Sequence, residues 1–205
     1  MTEQLKIWQS DFGDAYTDRN PGDWRKRNAA FQVMLEGLSI GSVLEVGCNR
    51  GQNLIVMSEL LGDRCELAGV EPNEYALGIA KASARNSRIV QGDAFDLEFK
   101  DGHFDLVMTA CVLIHVSLSD LPRALNEIYR VSSHYLLAIE YFAEEETVIH
   151  YRDHDNLLWK RDFLGHYQTQ FPDLDLVRQG YWGPEDGFDR THWWLLEKSG
   201  MREQP

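Results

Sequence analysis

Four short stretches of this chain carry residue types whose order and spacing could bind a nucleoside and move a proton. The sharpest is VLEVGCNRGQNL at 43–54, an apolar run that enters a glycine turn and then a helical pattern. Such a turn lets backbone N–H groups approach a ligand closely. A dinucleotide fingerprint of the GxGxxG kind needs glycine at 47, 49 and 52. The chain has Gly47, Asn49 and Gln52 there, so two of the three positions fail. Asn49 belongs to the few residue types that tolerate positive φ, which keeps a tight turn open to it. Glu71 closes the run ELAGVE and precedes Pro72 and Asn73; a strand-end carboxylate can accept hydrogen bonds from both hydroxyls of a ribose. Asp93, in GDA at 92–94, follows a further apolar run and can accept from an exocyclic adenine amine. FDLVMTACVLIHV at 104–116 ends in a loop carrying His115, a side chain that titrates near neutral pH.

An acid followed by glycines two, four and six residues later maps onto Glu45, Gly47, Asn49 and Gly51, with only the middle glycine replaced. Together with Glu71, Asp93 and the strand at 104–110, this order resembles the class I S-adenosylmethionine-dependent methyltransferases over roughly residues 40–198. A narrower likeness runs through nearly the whole chain. WQSDFGDAYTDRN, VLIHVSLSDLP, EYF at 140–142, HYRDHDNLLWKRDF at 150–163 and HWWLLEK are similar to the pseudaminic acid biosynthesis-associated methylases. The resemblance implies S-adenosylmethionine as cofactor, touched by Glu45, Gly47, Cys48, Asn49 and Gly51, then by Glu71 with Pro72, Asp93 with Ala94, and the backbone near Ala110. It also implies a small-molecule methyltransferase of a surface-sugar or related pathway. Trp8, Phe12 and Tyr16 recur at i, i+4 and i+8, a stripe that fits ordinary docking onto a core or a lid over a ligand. The resemblance favours the lid, with Tyr16 and Arg19 as polar contacts.

A methyl acceptor that is a hydroxyl loses a proton, and His115 is the candidate base; the other roles open to it are to cap the next helix or to bind substrate. A carboxylate or phosphonate acceptor needs no base, so that reading predicts sensitivity to Arg152 instead, and a cofactor-binding protein without turnover is a third reading. YFAEEETVIHYRDHDNLLWKRDF follows the fifth parallel strand and is the expected substrate region. It gathers His150, Arg152, His154, Lys160 and Arg161, a basic island that could hold an anionic small molecule, although Asp153, Asp155 and Asp162 could pair with it locally. Glu140 and Tyr141 end the fifth strand within expected reach of a substrate, or form a satisfied polar pair. Trp182 is a further candidate for the cleft, and one of Trp193 and Trp194 should be core while the other lines it. His150 and His154 lie four apart in a segment read as irregular, so no metal site is expected.

The elements that must position these residues follow from periodicity. Short runs rich in Val, Leu and Ile alternate with helical stretches at 52–61 and 73–85 and a helix at 117–131 with Ser119 as N-cap. HYLLAIEYF is a strand, 143–159 is irregular, 160–171 is a helix, and two closing strands pair as a hairpin at the sheet edge. The expected fold is α/β and Rossmann-like: a seven-stranded, mostly parallel sheet with a C-terminal antiparallel hairpin and helices on both faces. Residues 1–40 are expected to be a helical cap and 41–205 the binding domain, within one structural domain. The 205 residues carry 33 acidic and 20 Lys and Arg side chains, a formal charge of −13. That charge disfavours a nucleic-acid partner or a membrane surface, and it argues for solubility without setting an oligomeric state. With 43% hydrophobic residues, no apolar leader and three dispersed cysteines, the chain reads as a cytoplasmic globular protein with free thiols.

Overall fold

Val43, Leu44 and Val46 are buried although they alternate across one strand, so both faces of that strand must be covered. The computed structural model describes residues 1–199 and shows how. Strand β1 (Ser42–Val46) is the pivot: β2 (Glu66–Glu71) runs parallel to it on one side and β4 (Phe104–Ala110) on the other. Beyond these lie β3 (Arg88–Gln91) and β5 (Ser132–Glu140), then the antiparallel pair β9 (Thr191–Lys198) and β8 (Leu174–Trp182). The order β3-β2-β1-β4-β5-β9-β8 is the seven-stranded sheet expected from the alternation, with its hairpin at the edge. Strand order reverses between β1 and β4, and the crevice at the carboxyl ends there is where open α/β sheets bind ligands.

One face is covered by α6 (Leu121–Val131), whose Leu121, Leu125 and Ile128 point inward, and by Phe163 and Tyr167 of α7 (Phe163–Gln170). The other face carries α3 (Arg27–Leu35), α4 (Gln52–Leu61) and α5 (Glu74–Ser83), burying Phe31, Met34, Met57 and Leu77. Residues 27–35 therefore belong to the body of the domain. Ahead of it lie α1 (Glu3–Trp8), α2 (Asp11–Arg19) and a 3-10 turn, Trp24–Lys26.

Several expectations need correction. The N-terminal stripe is two helices, because Ser10 accepts from the Phe12 N–H and caps a new start. Helix α6 begins at Leu121; Ser117 bonds Asp120 in a turn before it, and Ser119 caps nothing. Trp193 and Trp194 are both core, each 4% exposed, on opposite faces. The segment 143–159 is a hairpin, β6 (Thr147–Tyr151) and β7 (His154–Lys160). Arg152 and Asp153 take φ of 48° and 67°, the two consecutive positive values of a type I′ two-residue hairpin turn. Neither residue is glycine or asparagine, so the turn was hidden behind its charges. Among the described residues no helix is long and apolar enough to cross a membrane.

Candidate functional site

The turn after β1 takes positive φ at Gly47 (74°), Asn49 (44°) and Gly51 (72°). A Cβ on Gly47 would sit 2.5 Å from Val112 Cγ2, so this glycine lets the turn and the 111–116 loop close on one another. At Gly51 a Cβ would meet Ala84 of the segment after α5 at 2.9 Å, so this glycine supports the cradle from behind. Asn49 supplies the third positive φ without glycine, and its side chain donates to Thr17 Oγ1 at 3.1 Å. Its backbone N–H donates to Glu71 Oε2 at 2.7 Å, while the Asn73 N–H donates to Oε1 at 2.9 Å. Glu71 is thus fixed at the mouth of β2 with one bond on each oxygen, and an ionised carboxylate has capacity for more. Burial pushes its pKa up to about 7, against the pull of those two N–H groups.

Two adjoining cavities open above these strands, sharing Tyr16, Gly47, Asn49, Ala110, Cys111 and His115. The first runs past Glu71, Pro72, Asp93, Ala94 and Phe95 beneath Trp8. The Phe95 N–H donates to Asp93 Oδ1 at 2.8 Å, which sets the carboxylate at the wall. The second runs past Glu45 and Cys48 to Arg27, Tyr141, Phe188 and Asp189. Glu45 Oε1 accepts from Asn53 at 2.6 Å, and Asn53 in turn accepts from Arg27 at 2.7 Å. Burial raises the Glu45 pKa to about 8, opposed by the Asn53 bond and the Arg27 charge.

Two buried polar atoms on these walls have no partner: Trp8 Nε1 and Glu45 Oε2. An orphan donor by the first cavity and an orphan carboxylate oxygen by the second call for a ligand with a polar acceptor in one half and a cation or donor in the other. A nucleoside joined to an ammonium-bearing tail has that character, and the remaining lone pairs of Glu71 at the first cavity can accept from hydroxyl groups. S-adenosylmethionine therefore fits the residues present.

His115 follows β4 on a single 3-10 turn, Leu113–His115. Its Nδ1 lies 2.6 Å from the carbonyl oxygen of Leu157 in β7. A carbonyl only accepts, so Nδ1 carries the proton and Nε2 is left as a lone pair. Burial lowers the His115 pKa to about 4, which keeps the imidazole neutral at physiological pH. It does not cap α6. A buried, neutral, oriented imidazole beside a ligand cavity can accept a proton or a hydrogen bond.

The structure brings most of the expected cofactor residues together and disperses most of the expected substrate residues. Arg19 is exposed and lies over the Phe12 and Tyr16 rings, outside both cavities. Glu140 is wholly buried beneath the 111–116 loop, where Val112, Leu113 and Ile114 donate to it. His150 pairs with Asp155 at 2.7 Å on the exposed face of the hairpin, and Arg152 occupies the hairpin turn. His154 packs on Phe12, with ring centroids 5.2 Å apart. Lys160 lies over the Tyr141 ring, and Arg161 is 1% exposed, bound to Glu146 and to Val116 O. Trp182 stacks on Trp193, away from the cavities. Only Tyr141 of that group lines the cleft, donating to Asp189 at 2.6 Å. Sequence reasoning missed Arg27, Phe188 and Asp189. Arg27 sits in a helix start that reads as surface, and the other two come from the connection between β8 and β9.

Residues 44–134 match the family model described as a methyltransferase domain. Demethylmenaquinone methyltransferase of Staphylococcus aureus (strain MRSA252) is 34% identical over 111 residues, covering 53% of this chain and 44% of that protein. Norajmaline N-methyltransferase of Rauvolfia serpentina is 33% identical over 96 residues, 45% of this chain and 32% of that one. The chain spans less than half the length of these curated relatives. Among solved structures, magnesium protoporphyrin IX methyltransferase from Synechocystis PCC 6803, with bound S-adenosylhomocysteine, superposes with a TM-score of 0.71 at 15% identity, covering 95% of this chain and 98% of that one. Residues 44–134 thus match a methyltransferase domain, and the fold is the Rossmann-like fold seen in solved S-adenosylmethionine-dependent methyltransferases.

Proposed function

We propose that the whole protein is a cytoplasmic S-adenosylmethionine-dependent methyltransferase that methylates a hydroxyl of a polar, anionic small molecule, a sugar or sugar acid. The observation that carries this reading is the lone pair of His115 Nε2, held beside the two cavities by the Leu157 carbonyl. When bound, the cofactor supplies a methyl group on a sulfonium, which an acceptor attacks in line. The chain's task is then to orient, to exclude water and to take a proton. Orientation alone can supply about 7–11 kcal/mol of such a barrier. Tyr16 lines both cavities and Trp8 the first, so α1 and α2 are read as the lid that shuts water out. His115 is entirely in its base form at neutral pH. An anionic acceptor is supported by Arg27, whose Nε and Nη1 are bonded to Gly187 O and Asn53 while its guanidinium lines the second cavity over the Phe188 ring. A sugar acceptor is supported by the likeness to the pseudaminic acid-associated methylases.

Calorimetric titration with S-adenosylmethionine, S-adenosylhomocysteine and NADH tests the cofactor. Binding of the first two alone is expected, followed by methylated products from a panel of sugar acids and nucleotide sugars detected by mass spectrometry. Binding of NADH, or of nothing, would overturn the reading. The Arg27 guanidinium also favours a second reading, carboxylate methylation, in which activity survives His115→Ala.

A further inference from the structure

We propose that Glu140 and Arg161 are positioning residues that fix His115 by holding its one helical turn between opposite charges; this rests on His115 acting on the acceptor. Val112 N and Leu113 N each donate to Glu140 Oε1 at 3.2 Å, and Ile114 N donates to Oε2 at 3.3 Å. At the other end of the turn, Arg161 Nη1 donates to Val116 O at 2.6 Å. The first N–H groups of any helical turn lack partners within it, and Val116, extended at φ −101° and ψ 129°, leaves its carbonyl in need of a donor from outside. Here both ions are supplied from outside the turn, by the end of β5 and by the residue after β7.

Both groups are essentially out of water, Glu140 at 0% and Arg161 at 1% exposure, and because burial lifts the Glu140 pKa to about 7 its full charge is present above that value. A buried charge survives only where its bonds compensate for lost hydration, and bonds to ions are the strong ones. Arg161 is balanced by Glu146 at 2.5 Å and by Val116 O, with Nη2 left unpartnered, and Glu140 by three N–H donors. Neither side chain lines either cavity, so neither is a catalytic residue. What they hold is narrow: the backbone from Val112 to Val116. Leu157 O then sets the ring, and β7, which carries Leu157, runs directly into Arg161. The turn and the ring's hydrogen-bond partner are therefore anchored to the same segment. A displacement of the turn moves Nδ1 off Leu157 O and releases the tautomer.

Nitrogen-15 NMR of the His115 imidazole, with no ligand present, tests this in wild type, Glu140→Gln and Arg161→Lys, beside calorimetry with S-adenosylhomocysteine. Wild type should show the Nδ1–H tautomer alone. In Glu140→Gln, whose amide cannot accept at both ends, the second tautomer should appear and the His115 titration midpoint should rise by about one pH unit or more. Affinity for S-adenosylhomocysteine should hold within about threefold, equivalent to under 1 kcal/mol. A Glu140→Gln protein with a lower Tm but the wild-type His115 signature would show that the two charges serve folding alone, and would overturn the proposal. Should Glu140→Gln not fold, Arg161→Lys decides: it keeps the charge and loses the guanidinium fork, so an unchanged His115 signature overturns the proposal there too. Wild type failing to bind S-adenosylhomocysteine would sink the functional reading alone, because the His115 signature is read without ligand.

Discussion

The Trp8 indole lies against the His115 imidazole, ring centroids 4.4 Å apart, so the first helix of the chain touches the residue read as the base. The same helix pair is clasped from the far side. Phe12 packs on Tyr151 and His154 of the β6–β7 hairpin, and Gln4 donates to Asn156 O at 3.2 Å. On the reading of α1 and α2 as a lid, these contacts between the helices and the hairpin break when ligand enters or leaves. An aromatic pair contributes about 0.5–1.5 kcal/mol, so Phe12→Ala should speed S-adenosylhomocysteine release by about 2- to 12-fold. Stopped-flow tryptophan fluorescence would read this, and an unchanged dissociation rate would mean that α1 and α2 are fixed packing.

With Nδ1 occupied, His115 reaches an acceptor only through Nε2. His115→Ala should cut turnover of a hydroxyl acceptor by about 10²–10⁴-fold and leave S-adenosylhomocysteine affinity in place. Because burial sets its pKa at about 4, the imidazole is neutral above that value. The rising limb of the rate against pH should then lie near pH 4, with no histidine limb between about pH 6 and 7. A limb near 6.5 that vanishes in His115→Ala would show a solvated ring.

Glu71 anchors two backbone N–H groups as well as facing the first cavity. Glu71→Ala should weaken S-adenosylhomocysteine by about 1.5–3 kcal/mol, the range for bonds to a charged group. Glu71→Gln should also weaken it, because one end of the amide presents a donor to the Asn49 or Asn73 N–H. Calorimetry that finds full affinity in both variants would remove Glu71 from the cofactor's contacts.

The cofactor half of the site was legible because its residues are local to strand ends: Glu71, Asp93 and Ala110 each follow an apolar run, and Gly47 and Asn49 fall where the turn must reverse. The acceptor half was not. Arg152 and Arg161 are nine positions apart in a basic segment, yet one lies at an exposed turn and the other in the core. Nothing in the local pattern separates them, since the hairpin register that does so depends on positive φ at two charged residues. Arg27 and Asp189 come to line one cavity through tertiary packing alone, which periodicity does not encode.

Stability of the unliganded protein should depend on pH through four buried groups. Burial raises Glu45 to about 8 and Glu71 and Glu140 to about 7, and lowers His115 to about 4. A carboxyl raised on folding adds stability that is full below its unfolded value, about 4.5, and is lost as pH rises through its folded value. The lowered histidine adds stability that is full above about 6.5 and is lost as pH falls towards 4. The two trends oppose one another between those limits. Above about 6.5 only the carboxyls still titrate, so Tm should fall from about pH 6.5 to 8.5. Saturating S-adenosylmethionine should lessen the fall, because a cation beside Glu45 favours its carboxylate. A Tm that is flat over that range in scanning calorimetry would mean that these acids are already ionised in the fold.

The cation that meets an anionic acceptor should be Arg27. It lines the second cavity with Tyr141 and Asp189, whereas Arg152 sits at the tip of the hairpin. Arg27→Met removes the guanidinium but keeps much of the stem that packs near Phe188, so the loss should fall on binding. A charge-assisted bond contributes about 1.5–3 kcal/mol, which predicts a rise in the acceptor KM of roughly 10- to 150-fold. Arg152→Ala should leave KM and kcat at wild-type values. Steady-state kinetics on the acceptor found by the product screen would decide. A KM that follows Arg152 and ignores Arg27 would return the acceptor site to the hairpin, and a loss of S-adenosylhomocysteine affinity in Arg27→Met would assign the guanidinium to the cofactor's own carboxylate.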